Sequence, residues 1–92
     1  MTDERHPGGI DFYTFVLSLG SSALVHLGDT PHPETGEPAP ANLPLAKQTI
    51  DILVMLREKT KGNLTAEEEQ FLEHLLTDLR LRYVERAAPK PG

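Results

Sequence analysis

Between Asp11 and Asp29 the chain carries no Asp, Glu, Lys or Arg. Within that run Phe12, Phe15, Val16, Leu19, Ala23 and Leu27 fall at i, i+3, i+4, i+7, i+11 and i+15, the spacing of one helix face. Tyr13, Leu17, Leu24 and Val25 lie outside the stripe, so apolar groups cover most of the circumference. Thr14, Ser18, Ser21 and Ser22 make a narrow polar strip that is small and uncharged. Aromatic and β-branched residues in FYTFVLSL also suit a strand, but the helical spacing continues through Leu27, too far for one. Asp11 is placed to cap the start, and Gly28 to close the end in the left-handed conformation. A helix apolar on most sides requires cover on most sides.

Residues 28–42 hold Pro31, Pro33, Pro38 and Pro40 with Gly28 and Gly36, a density that no regular element tolerates. An extended or disordered linker is expected, long enough that the helices on either side need not be tight neighbours. Asn42 then caps LPLAKQTIDILVMLREKTK, with Pro44 in the first turn, Lys59 and Lys61 near the end and Gly62 as its stop. Leu45, Ala46, Ile50, Ile52, Leu53, Val54 and Leu56 again cover more than one stripe, and Lys47 with Asp51 marks the solvated side. Thr65 and Glu68 fit a capping box for the next helix. There Glu67, Glu68 and Glu69 crowd the positive end, Arg80, Arg82 and Arg86 the negative end, and Leu72, Leu75, Leu76, Leu79 and Tyr83 form the stripe. The spacing predicts an all-α fold with helices at about 11–27, 43–61 and 66–86, joined by the Pro-rich linker 28–42. Residues 1–10 and 87–92 are expected to be disordered ends.

Three helices give each only two neighbours, fewer than the first one requires. A second copy would supply the missing cover, so a homodimer or higher oligomer is expected with the first helix central. Phe12, Phe15, Val16, Leu19, Gly20 and Ala23 are the expected interface, with Gly20, Ala23 and the serines allowing close approach. An unidentified protein partner is the other occupant this reading admits. Lipid fits poorly: the uncharged run includes His26, four hydroxyl residues and two glycines, and lacks the Lys or Arg of an interfacial helix.

The absence of cysteine excludes a disulfide scaffold, a thiolate nucleophile and a cysteine zinc site. Fourteen acids against nine bases, a formal charge of −5, oppose binding to a phosphate backbone, so nucleic acid is not expected as a partner. Asp3 and Glu4 oppose Arg5 where a secretory signal would be positive, and a cytoplasmic location is expected. His6, His26, His32 and His74 show neither i, i+3 nor i, i+4 spacing, so no metal site is expected. The hydroxyl residues lie in no G-x-S-x-G elbow, and neither a catalytic residue nor a cofactor is expected. One local constellation reads functionally. Lys59, Lys61, Asn63 and Thr65, with the free amides of the third helix, could hold a phosphate or carboxylate and make the chain a small anion- or nucleotide-binding protein. The same residues also compose an ordinary helix–turn–helix, three acids at Glu67 to Glu69 oppose an anion, and the Walker order is absent.

Ile50-Asp51-Ile52-Leu53, the run Glu58-Lys59-Thr60-Lys61-Gly62-Asn63-Leu64-Thr65, Glu68, and the close from Leu79-Arg80 to Tyr83-Val84 together resemble the bacterial family catalogued as domain of unknown function 1844. Phe15, Leu19, Ala23, Leu27 and Gly28 are similar to that family's opening helix. The likeness runs from about Phe12 to Val84, with KTKGNLT its most specific part and the Pro-rich linker as an elaboration. It implies a small cytoplasmic bacterial protein and carries over no reaction and no catalytic residue.

Overall fold

A computed structural model describes residues 11–32, 34–38 and 40–88, so the expectations for residues 1–10 and 89–92 lie outside the described residues. Helices α1 (Phe12–Leu27), α2 (Leu43–Lys59) and α3 (Ala66–Ala87) follow one another, and the described residues include no strand. The fold is all-α, as the apolar spacing predicts.

Each start is fixed by the residue expected to fix it. The Asp11 carboxylate accepts from the Thr14 N–H at 2.7 Å, and the Asn42 side-chain oxygen accepts from the Leu45 N–H at 3.1 Å. At α3 the Glu68 N–H donates to the Thr65 hydroxyl at 3.0 Å while the Thr65 N–H donates to the Glu68 carboxylate at 2.9 Å, a complete capping box. Gly28 ends α1 at φ 81°, where a Cβ would be strained, and its N–H bonds back to Leu24 and Val25 carbonyls. Helix α2 stops at Lys59, two residues short of the expected Lys61: the Thr60 N–H makes the last i→i−4 bond, to the Leu56 carbonyl at 2.9 Å, and the Lys61 N–H then shifts to the Glu58 carbonyl at 3.4 Å, an i→i−3 turn. Gly62, at φ 85°, then makes the turn into α3.

The Pro-rich segment does not keep α1 and α2 apart. The Asn42 N–H donates to the His26 carbonyl at 2.6 Å, which draws the two ends of the segment together and sets α2 antiparallel to α1. Within it the His32 N–H donates to the Glu37 carbonyl at 2.9 Å and the Gly36 N–H to the His32 carbonyl at 2.7 Å, so the chain turns back on itself. Proline removes regular structure without removing turns, and a long closed loop costs little more entropy than a short one. Helix α3 runs parallel to α1: Tyr13 meets Phe71 edge-on with ring centroids 5.4 Å apart, Gly20 lies against Leu75, and Asp29 reaches Arg82 and Arg86.

The core takes Val16, Ala23 and Leu27 from α1, Ala46, Ile50 and Leu53 from α2, and Leu72, Leu76 and Leu79 from α3. Gly20 lets α3 come close, since a Cβ there would stand 3.0 Å from both Leu75 methyls. Thr49 is the buried polar residue, and its hydroxyl donates to the Leu45 carbonyl at 3.1 Å.

Candidate functional site

The single chain covers much of the expected interface by itself. Val16, Gly20 and Ala23 are buried among α2 and α3, and Phe12 and Leu19 are half-buried against the same core. Of the six, Phe15 alone is exposed, at 40%. At about 100° of rotation per residue, Phe15 stands well round from Val16 and leaves the stripe, although it is spaced i+3 from Phe12. What α1 leaves open is therefore its two flanks: Phe15 on the side toward α2, and Tyr13 with Leu17 on the side toward α3. Ser18, Ser21 and Ser22 also face solvent, and the Ser18 hydroxyl donates to its own helix at the Phe15 carbonyl. Close approach falls to Gly20 and Ala23, not to the hydroxyl strip.

Helix α2 continues the flank that Phe15 begins. Its buried residues Ala46, Thr49, Ile50 and Leu53 define one face, and Leu45, Ile52 and Met55 lie to one side of it or beyond. Antiparallel running with Asn42 beside His26 brings Phe15 level with the turn from Ile52 to Met55. Leu45 and Met55 are exposed and Ile52 is half-buried, so the outer side of the α1–α2 hairpin carries large apolar groups with none of the described residues above them. Lys47 and Asp51, paired at 2.9 Å, bound this area on the solvent side.

Lys59, Lys61, Asn63 and Thr65, at and after the end of α2, are all exposed. The turn's capacity for an anion is limited by its own acids. The Thr65 hydroxyl and the Glu68 carboxylate already satisfy each other's amides. A hollow of about 290 Å³ beside the turn is lined by Arg57 and Lys61 but also by Glu58, Glu69 and Glu73, and Arg57 is bonded to Glu73 at 3.1 Å. The local balance is negative. Among the described residues no three His, Cys, Asp or Glu side chains gather as a metal site would require, and no helix is long and apolar enough to cross a membrane.

The strongest polar constellation is one that the spacing does not announce. Asp29 follows the left-handed Gly28, and its carboxylate accepts from Arg82 Nη1 at 3.1 Å, from Arg86 Nε at 2.9 Å and again from Arg86 Nη2. Arg86 also reaches the Gly28 carbonyl, and Arg82 holds Asp78 at 2.9 Å. Burial raises the Asp29 carboxyl's pKa, but hydrogen bonds from Arg86 and Arg82, with their charges, outweigh that and hold it below the ordinary value. An open hollow of about 660 Å³ lies beside the clamp, with Leu43 and Leu81 in its wall and Asp78 and Glu85 at its edge. The clamp fastens the end of α1 to the end of α3. Arg82 and Arg86, four apart near a helix C-terminus, read from sequence as dipole partners; the fold turns them into a receptor for a carboxylate more than fifty positions upstream.

Helix order, direction and caps define an up–down–up three-helix bundle with a long clamped α1–α2 loop and an open apolar flank. A family model matches residues 9–85, which takes in all three helices, and the chain belongs to the family described as domain of unknown function DUF1844. No curated protein and no solved structure matches it.

Proposed function

We propose that the protein is a small, non-catalytic helical interaction module that associates with a copy of itself through the outer side of the α1–α2 hairpin. The observation that carries this reading is the exposure of Phe15, Leu45 and Met55 on one side of that hairpin, with Ile52 between them. A self-complementary apolar patch of this kind is the usual basis of a twofold dimer. The role is regulatory or architectural, in the bacterial cytoplasm, and the cysteine-free composition supports an intracellular setting. Anion binding at the Lys59-to-Thr65 turn is disfavoured by Glu58, Glu69 and Glu73 around it.

Sedimentation of the wild type and of Phe15→Ser/Met55→Ser tests the reading. The wild type is expected to gain mass with concentration, and the variant to gain less at every concentration while keeping its helical circular dichroism. A wild type that stays monomeric at millimolar concentration, or a variant that associates unchanged, refutes it. A thermal shift with inorganic phosphate that disappears in Lys61→Ala would instead favour the turn.

A further inference from the structure

Among the described residues the two most exposed large apolar side chains are not on the α1–α2 hairpin. They are Leu81 at 58% and Val84 at 61%, on the face of α3 opposite Leu72, Leu76 and Leu79. With Thr77 before them and Ala88 after, they follow the 4-3-4 spacing of a two-helix seam. The seam is short, because the preceding seam positions are Gln70 and His74.

The flanking charges say what can cover it. Arg80 stands on one side of the stripe, and Asp78 and Glu85 on the other. Arg82 engages Asp78, whereas neither Arg80 nor Glu85 has an ion-pair or hydrogen-bond partner among the described residues. When two identical helices lie side by side in parallel, the residue before one seam position faces the partner's residue five further on, across the seam. That relation joins Arg80 to the partner's Glu85, and by symmetry Glu85 to the partner's Arg80. In antiparallel pairing each flank faces its own kind, so neither Arg80 nor Glu85 meets an opposite charge across the seam. In the parallel arrangement the remaining like-charged pair, Glu73 with the partner's Asp78, is already neutralised within each chain by Arg57 and Arg82.

We infer that the second half of α3 is a contact between copies of this chain, in which two α3 helices run parallel with Leu81 and Val84 against their counterparts and Arg80 paired across to Glu85. The inference rests on self-association as proposed above but on a separate face. Two self-complementary faces on one chain carry assembly past a dimer, to a closed tetramer or an open chain.

The test uses the full chain carrying Phe15→Ser/Met55→Ser, so that only the α3 contact remains, and reads molar mass by sedimentation. That chain is expected to remain a dimer at high concentration, and addition of Leu81→Arg to make it monomeric. Arg80→Glu and Glu85→Arg, added separately, each set two like-charged pairs against each other and are expected to weaken the dimer at least about tenfold. Mixing the two is expected to restore a mixed dimer, because both pairs are then complementary. Circular dichroism confirms that each exposed substitution leaves the fold intact. A monomeric Phe15→Ser/Met55→Ser chain from an associating wild type overturns the α3 contact and leaves the α1–α2 face standing. Repelled variants that fail to pair on mixing also overturn the α3 contact. A wild type that is monomeric throughout overturns both.

Discussion

Replacing Asp29 by asparagine removes one negative charge and keeps the side chain's shape, so it isolates what the clamp contributes. The Asp29 side chain is 14% exposed, while the Arg82 and Arg86 side chains that hold it are 42% and 46% exposed. Fully exposed pairs contribute under about 1 kcal/mol, and removing one partner of a buried pair costs about 3–5 kcal/mol. A sheltered carboxylate on half-wet guanidiniums falls between, at about 2 kcal/mol. For a domain of this size that corresponds to a melting temperature lower by roughly 10 °C. Most of the loss belongs to Arg86, because Arg82 keeps Asp78 when Asp29 is neutralised. Arg86→Gln is therefore expected to cost nearly as much as Asp29→Asn, and the double variant little more than either, the signature of one shared interaction.

The pH dependence has a definite sign. The folded chain holds the Asp29 carboxyl below its ordinary value, so its contribution is complete above the unfolded pKa of about 3.9 and is lost as pH falls through the lower folded value. Urea titrations at one fixed protein concentration should show the full gap between wild type and Asp29→Asn at pH 7, and a gap closing below about pH 4. Equal stability at pH 7 would mean the arginines merely decorate the surface. A gap that survives unchanged into strong acid would mean that the asparagine disturbs packing instead of charge.

Local grammar was largely legible in this chain and long-range pairing was not. Asp11, Asn42, Thr65 with Glu68, and Gly28 each act where short-range rules place them, because a cap needs only its own next few residues, whereas α2 ends at Lys59 and leaves Gly62 two residues past its Thr60 cap. Phe15 shows the limit of an i+3 count: the stripe on α1 is narrower than its apolar content, since Gly20 admits α3 and shifts the buried face toward Val16 and Ala23. The cover that α1 requires comes largely from its own chain. That became possible because the Pro-rich loop closes between His26 and Asn42, a hydrogen bond that no periodicity encodes. The clamp on Asp29 was equally hidden, since Arg82 and Arg86 meet it only after three helices have taken their directions.

Thr65→Ala removes the hydroxyl that accepts the Glu68 N–H and is expected to cost about 1 kcal/mol in a denaturant titration; an unchanged midpoint would show that water serves the amide as well. Gly20 separates packing within the chain from packing between chains. Gly20→Ala gains about 1 kcal/mol of helix propensity but sets a Cβ 3.0 Å from the flexible end of Leu75, so a small net effect is expected. Gly20→Val adds a Cβ and two methyl groups to a gap already filled, and overpacking should cost about 2 kcal/mol. Leu75→Ala in that background empties the space the valine needs, so it should cost less there than in the wild type, and equal costs would show that the two side chains do not meet. Sedimentation completes the argument: Gly20→Val should lower stability at unchanged molar mass. A fall in molar mass with stability intact would instead place Gly20 between two copies, and with it the buried face of α1.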